Sequence, residues 1–525
     1  MTTTGSRWES RENTAVTLAR NVSTRYVLIA INMAIGLVVL PYNVQHLGSA
    51  NYGLWMLAAS ITANFIVLDL GYGGAVVKYV AEFRARRDPV ALNEVLSTVS
   101  YVFTAIGIAS YALAVLIAVF FPHIFNVEPG QVQTGRIALL IIALQVAFYF
   151  CFSVYGAVTN GFEQYHLNNI VGIVFNIAAA AVNVLVLWLG YGLIELVAAT
   201  TILRIAPLWV YRHNAFKVFP ELRISRDYFR RDRLRELSGF SVYLAVVDWS
   251  TRLTFATDSL YLGIFMNTAA VGIFAIAQRL SEALLNLTNQ LHTFLLPAVV
   301  SRAIDGQLER QQSLMVKATR FQLAIAMCLC GAVGTLADVL IRAWIGPSAQ
   351  ESVPVTQLLT LAVVLRAWTA MPITVLQGTG HHRFVAVASS LCAVANLLLS
   401  IPLVKMFGLI GVALGTIVPV AIFAVVVFAR SCAVVRLTWW HGVRLIVWPT
   451  VWPAALVGGV LVAGSGALPA GLVPVLGYLT AGVLAYAAIF FVCGLDRDER
   501  RWFVSTFTAI GSRCLPRLAA ESALR

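Results

Sequence analysis

Apolar runs of about 20 residues recur along this chain almost from end to end, separated by short polar turns. A run of that length crosses the roughly 30 Å hydrocarbon layer as a helix, and in lipid every backbone polar group must be satisfied within the spanning segment. No other feature narrows the possible folds so far. Fourteen spans are expected, near 16–40, 52–77, 94–121, 136–159, 168–189, 192–211, 239–266, 270–297, 318–345, 354–378, 384–406, 409–429, 446–465 and 472–494. The chain is 59% hydrophobic and only 12% charged, whereas a soluble domain carries about a quarter charged residues. The fold class is therefore all-α and polytopic in the membrane.

Charge sets the expected orientation. With the first residues inside, nearly all of the 37 lysines and arginines fall in inner segments, including a run counted from Arg204 to Arg235. Only Arg136, Arg342 and Lys405 lie near outer ends, and three arginines stay within spans: Arg252, Arg279 and Arg366. Both termini are then cytoplasmic. The net charge of +13 is spread over membrane-flanking loops and does not indicate nucleic acid. The seven cysteines show no CxxC spacing and read as small apolar residues. No small-residue cleavage site follows the polar start, so no signal peptide is expected.

Internal similarity sets the organisation. Ala50-Asn-Tyr-Gly53 opens the second span and Ala269-Ala-Val-Gly272 the eighth, 219 residues on. Gly161-Phe-Glu-Gln-Tyr165 and Gly380-His-His-Arg-Phe384 repeat that offset, and Gly192 to Thr200 matches Gly408 to Thr416 at 216. The pattern predicts two pseudo-symmetric six-helix lobes, 1–211 and 239–430, joined by a cytoplasmic linker, 212–238. Two additional helices, 431–494, and a cytoplasmic amphipathic tail, 495–525, follow. A parallel repeat of this kind puts its pseudo-twofold along the membrane normal, with the path between lobes. The second part of the linker, from Arg226, reads as an amphipathic helix at an anionic leaflet. The tail reads similarly, with Asp496 as helix cap and Trp502, Phe503 and Phe507 on its apolar side.

The candidate site residues are those whose presence in a span costs most. A charge at mid-membrane costs about 2.5–3.5 kcal/mol on insertion scales and usually faces a bundle interior or wet cavity. Arg366 has no carboxylate within its own helix, and Pro372 is placed to kink that helix. Arg252 has Asp248 one turn earlier and Arg279 has Glu282 at i+3, so each reads equally as an internal ion pair or a cavity residue. Asn32 and Asn64, with Gln145, Asn176 and Asn183, line a polar cavity or serve as interhelical glue. Asp69, before Gly71, Gly73 and Gly74, is a gate, a coupling group or part of a packing motif where the helix can break. Asp258 belongs with the buried carboxylates a proton relay would use, and Asp248 and Asp258 are the further coupling or gating candidates. His381-His382 lacks further ligands, so no metal site is expected. No GxxxxGK[ST] pattern occurs, so ATP hydrolysis and an enzymatic role are not expected.

Several stretches resemble the polysaccharide-transporter branch of the multidrug/oligosaccharidyl-lipid/polysaccharide exporter superfamily. They are Leu47-Gly-Ser-Ala-Asn-Tyr-Gly-Leu-Trp55, Leu68-Asp-Leu-Gly-Tyr-Gly-Gly-Ala75 with Tyr79-Val-Ala-Glu82, and Thr257-Asp-Ser-Leu-Tyr-Leu-Gly-Ile264 with Val271 to Ala277. The layout of six, six and two helices covers almost the whole chain. The resemblance implies a flippase for polyprenyl-diphosphate-linked oligosaccharides such as O-antigen or exopolysaccharide repeat units. It also implies alternating access around a cationic cavity in the inner membrane. Cofactors are none beyond possible H+ or Na+ coupling. The expected partners are the lipid-linked oligosaccharide, membrane lipids and polysaccharide polymerase machinery, with the protein itself a monomer. Two alternatives stay open: a peptidoglycan-precursor lipid flippase, whose family usually carries basic residues in spans one and two, and a cation-coupled multidrug antiporter, which usually relies on cavity carboxylates.

Overall fold

The computed structural model describes residues 14–69, 72–233, 249–250, 257–304, 308–469, 471–497 and 499–501. The described chain is helical, with no strand among these residues. The long helices are α1 (Thr14–Asn64), α2 (Tyr72–Arg86), α3 (Pro89–Ile124), α4 (Val132–Gly161), α5 (Tyr165–Trp188) and α6 (Leu193–Val218). They continue with α7 (Asp258–Phe265), α8 (Thr268–Ile304), α9 (Leu308–Thr335), α10 (Ala337–Trp344), α11 (Ser352–Gly378), α12 (His382–Val434), α13 (Trp448–Ser465) and α14 (Leu472–Ile489).

Eleven helices of the described chain are long and apolar enough to cross a membrane. Two of them, α1 and α12, bend at a glycine in the left-handed region, Gly48 (φ 73°) and Gly408 (φ 58°). Each carries two expected spans on its two limbs without an intervening loop. Only glycine adopts such angles freely, so the chain reverses there in a single residue. Most of the seventh expected span, with Arg252 and Asp248, lies outside the described residues; its outer end is α7.

Three expectations need correction. The second span is not one helix: α1 ends at Asn64, a 3-10 turn covers Phe65–Asp69, and α2 begins at Tyr72. Glycines at 71, 73 and 74 weaken helical continuity there. The outer connection expected between the spans 94–121 and 136–159 shrinks to 125–131, because α3 runs on through Pro122 to Ile124 and α4 starts at Val132. The linker from Arg226 is not a continuous amphipathic helix in its described part. Residues Arg226–Tyr228 form a 3-10 turn and helix resumes only at 231. This segment is pinned to the first turns of α3 instead. Asn93 donates to the Glu221 carbonyl and accepts from the Arg223 amide, both at 2.9 Å. Ser97 and Thr98 make the same kind of paired contact with residues 223, 225 and 230. Glu94 pairs with Arg230 at 3.4 Å and Arg233 at 3.2 Å.

The chain divides into two compact units, 1–283 with 345–359 and 380–423, and 284–344 with 360–379 and 424–525. In the first, Tyr72, Val76, Val80, Leu92, Leu96, Phe103, Phe150 and Phe219 build a core under the linker. α1 and α5 are stitched by amides: His166 N–H donates to Asn21 at 2.8 Å, Asn169 to Thr24 at 3.1 Å and Asn176 to Asn32 at 2.9 Å. In the second unit α9 packs against α13 and α14, the expected additional helices. Each of those carries a π-helical turn, Val443–Val447 and Phe490–Gly494. Arg320 of α9 and Glu499 after α14 form a buried bidentate pair, with Asp496 at 3.8 Å and Lys317 at 3.9 Å. The Asp496 carbonyl accepts from Arg500 N–H and its own N–H donates to Glu499, as expected of a helix start. Trp502, Phe503 and Phe507 lie outside the described residues.

Candidate functional site

Arg279 sits 11 residues into α8, about 17 Å from its expected outer end. Its guanidinium packs over Gly36 of α1, where an added methyl group would stand 3.5 Å from Nε and Nη2. Glu282 accepts from it at 3.5 Å, and Gln278 donates to the same carboxylate at 3.2 Å. The Arg279 and Glu282 side chains retain 53% and 47% of their exposure, so the pair faces open space and does not fill a core.

Arg204 also faces this region. The sequence reading placed it in the basic inner segment, but it lies 11 residues into α6, again about 17 Å from the expected outer end. It is exposed and lies within electrostatic range of Arg279. Among the described residues no carboxylate pairs with Arg204. Of two guanidinium groups at one depth, only Arg279 is paired with a carboxylate, Glu282, which leaves an excess of fixed positive charge. The signal available in sequence was the apolar run Ile205-Ala-Pro-Leu-Trp-Val210 after it, which keeps the helix in the membrane well past residue 204.

Asp258 opens α7 and is 1% exposed. Both of its carboxylate oxygens lie 3.1 Å from the Thr416 hydroxyl on the second limb of α12. Asn396 of the first limb donates to Thr416 at 3.0 Å and to the Gly415 carbonyl at 3.1 Å. Ser400, one turn further along, faces Gly415 directly. The Asn396 Oδ1 and Ser400 Oγ atoms are buried without a hydrogen-bond partner among the described residues. A carboxylate buried with one hydroxyl donor is costly unless a proton or cation accompanies it.

The other candidates separate. Asn32 accepts from Asn176, one turn from Gly36 and the Arg279 guanidinium. Asn64 donates to the Ser60 carbonyl of its own helix at 2.8 Å. Asp69 accepts from the Gly73 amide at 3.1 Å and so caps the restarted helix α2 across the break. Arg366, half-buried on α11, belongs to the other compact unit, two residues before Trp368, which packs against Phe428 and Trp439. Arg252 and Asp248 lie outside the described residues.

A polar bridge closes the expected outer end of the first unit. Gln131 donates to Asn51 at 3.3 Å and accepts from Thr268 at 3.1 Å. The Asn126 amide donates to the Gly263 carbonyl at 2.8 Å, and its side chain donates to the Met266 carbonyl.

These features define a polytopic helical membrane protein whose bundle encloses charge. The fold is that of known solved structures: a lipid II flippase, MurJ, in an inward closed conformation matches with TM-score 0.69 over 89% of this chain and 98% of that one, at 14% identity. An inward-facing multidrug resistance MATE transporter of the MOP superfamily matches with TM-score 0.61 over 78% and 94%, at 15% identity. The chain belongs to the polysaccharide biosynthesis protein family, which its residues 18–301 match. It is similar to a protein described as a probable flippase, AglR, of Haloferax volcanii, 21% identical over 76% of this chain and 80% of that one. It is also similar to a putative O-antigen transporter of Shigella flexneri, 20% identical over 77% and 96%.

Proposed function

We propose that this membrane transporter is a flippase for polyprenyl-diphosphate-linked oligosaccharide repeat units, acting in the cytoplasmic membrane with both termini inside, for cell-surface polysaccharide biosynthesis. The observation that carries the reading is the Arg204–Arg279 pair. Two exposed guanidinium groups within electrostatic range of each other, only one of them paired with a carboxylate, suit a diphosphate, which guanidinium binds by charge-assisted, bidentate hydrogen bonds. A multidrug cation would be repelled there. Neutral amides near Arg279, such as Asn32, suit sugar hydroxyls.

The same geometry suits alternating access. The expected outer end is bridged by Asn51, Gln131, Thr268 and Asn126 while Arg204 and Arg279 are exposed, which supports a cytoplasm-facing state. Opening outward must break that bridge. The Asp258–Thr416–Asn396–Ser400 cluster is our candidate for H+ or Na+ coupling, because it offers a carboxylate and two oxygens without a hydrogen-bond partner in a buried place. Arg366, in the other compact unit, is retained as a candidate substrate-binding charge.

The test is the leaflet distribution of polyprenyl-diphosphate oligosaccharides in cells depleted of the protein. The reading predicts accumulation on the cytoplasmic leaflet, reversed by wild type but not by the Arg204→Ala, Arg279→Ala double variant. An unchanged distribution in a strain without a redundant flippase would contradict it. Accumulation of muropeptide-bearing lipid instead would transfer the assignment to peptidoglycan precursor.

A further inference from the structure

The repeat spaced at 219 residues brings its own copies into contact. In the second limb of α1, a methyl group added at Gly53 would collide with the Thr268 carbonyl and stand 2.7 Å from the Gly272 amide nitrogen. One added at Gly272 of α8 would collide with the Ser49 carbonyl and stand 3.1 Å from the Gly53 nitrogen. Residues 49 and 268 are themselves 219 apart, as are 53 and 272. The contact is thus reciprocal: 53 meets 268, and 272 meets 49. This is the signature of an isologous contact across a twofold, with each position meeting the symmetry mate of the other's neighbour. The two motifs, Ser49-Ala-Asn-Tyr-Gly53 and Thr268-Ala-Ala-Val-Gly272, have the small-xxx-small spacing that lets helices cross at backbone contact in a membrane.

We propose that Gly53 and Gly272 are the positioning residues of the outer gate, a reversible backbone-to-backbone seal on the pseudo-twofold that must part for the cavity to open outward. This rests on the alternating-access reading above and deepens it. Three observations support a gate over a fixed packing contact. The crossing lies about two helical turns from Arg279 on the same helix, between the cavity charge and the expected outer end. It is flanked by the Asn51–Gln131–Thr268 bridge of neutral hydrogen bonds, which can be exchanged for water as the helices part. Backbone contacts through glycine need no side-chain rearrangement to separate, and they tolerate no substitution when they re-form.

The experiment is a distance measurement by pulsed electron resonance between spin labels at Gly130→Cys and Ala269→Cys, in a background without native cysteines and with no substrate present. Gly130 is exposed, with no neighbour within 4 Å of an added methyl group. A single short distance is expected with the glycines intact. Gly53→Ala and Gly272→Ala should each shift the population to a longer distance and lower transport at least tenfold. Gln131→Ala, which adds no bulk, should produce a partial shift of the same sign. A distribution unchanged in Gln131→Ala, or in either folded glycine variant, overturns the gate. Because the distances need no cargo, a wrong substrate assignment would leave the shift intact. Lost transport with unmoved distances would sink the gate and spare the flippase reading.

Discussion

Arg204 carries the account at the scale of the residue. Its apolar neighbours hold it within α6, so the insertion cost of its charge stands without compensation by a carboxylate among the described residues. Hydrogen bonds to charged groups contribute about 1.5–3 kcal/mol, and each 1.4 kcal/mol is tenfold in affinity. Arg204→Gln is therefore expected to weaken substrate affinity about ten- to hundred-fold at normal expression. Arg204→Lys should recover part of the loss, since it restores the charge but not the bidentate fork. Initial rates against substrate concentration check both. Asp258→Asn keeps an acceptor for the Thr416 hydroxyl but removes the ionisable group. Folding should survive, and the dependence of transport on an imposed H+ or Na+ gradient should vanish; a gradient response equal to wild type would exclude Asp258 as the coupling group. Neither residue's role was fully legible in sequence. Arg204 was grouped with the basic loop that follows it, although apolar residues continue to Val210. Asp258 was recognised as a buried carboxylate. Its partner Thr416, however, lies 158 positions away, and only folding α12 back on itself at Gly408 brings Asn396 against Thr416.

At the scale of the element, periodicity and length fixed where helices run, and glycine geometry fixed how they join. Spans of 20 apolar residues are legible because lipid leaves the backbone no alternative to a helix. Their ends are less so. α1 passes through Gly48 into a second limb with no polar loop to mark the turn, and α1 gives way at Phe65–Asp69 to a 3-10 turn whose Asp69 caps α2. The linker was misread for a related reason. Its basic-aromatic pattern suits a leaflet surface, but Asn93, Ser97 and Thr98 offer its backbone better partners than water. Asn93→Ala removes two such partners from the linker backbone at the exposed residues 221 and 223, a loss of about 0.5–1.5 kcal/mol for each hydrogen bond. Hydrogen exchange of residues 221–225 should accelerate accordingly while α5 and α6 stay protected; equal exchange in wild type and variant would show that the clamp contributes nothing.

For the whole molecule, the repeat was visible in sequence but its consequence was not. Matching motifs at one offset establish that two halves are alike; only the structure brings Gly53 against Gly272. The first compact unit gathers the whole first half together with 345–359 and 380–423, while the other unit is drawn only from residues after 283. The second unit depends on an ion pair that sequence separation of 179 residues conceals. Arg320 and Glu499 are 5% and 6% exposed. Removing one partner of a buried pair leaves the other uncompensated, at a cost of about 3–5 kcal/mol. Glu499→Ala should lower the thermal unfolding midpoint of the detergent-purified protein clearly, whereas Glu282→Ala, at an exposed pair, should leave it nearly unchanged.

The central claim is that a cationic, cytoplasm-accessible cavity carries a diphosphate-linked sugar lipid across the membrane. Its most direct test is reconstitution of the purified protein in liposomes containing a fluorescent polyprenyl-diphosphate oligosaccharide. Access of that lipid to a membrane-impermeant quencher is then followed with an imposed ion gradient. The account predicts transfer between leaflets by wild type, and loss of at least nine-tenths of the rate in the Arg204→Ala, Arg279→Ala variant. Transfer by the double variant at the wild-type rate would contradict it.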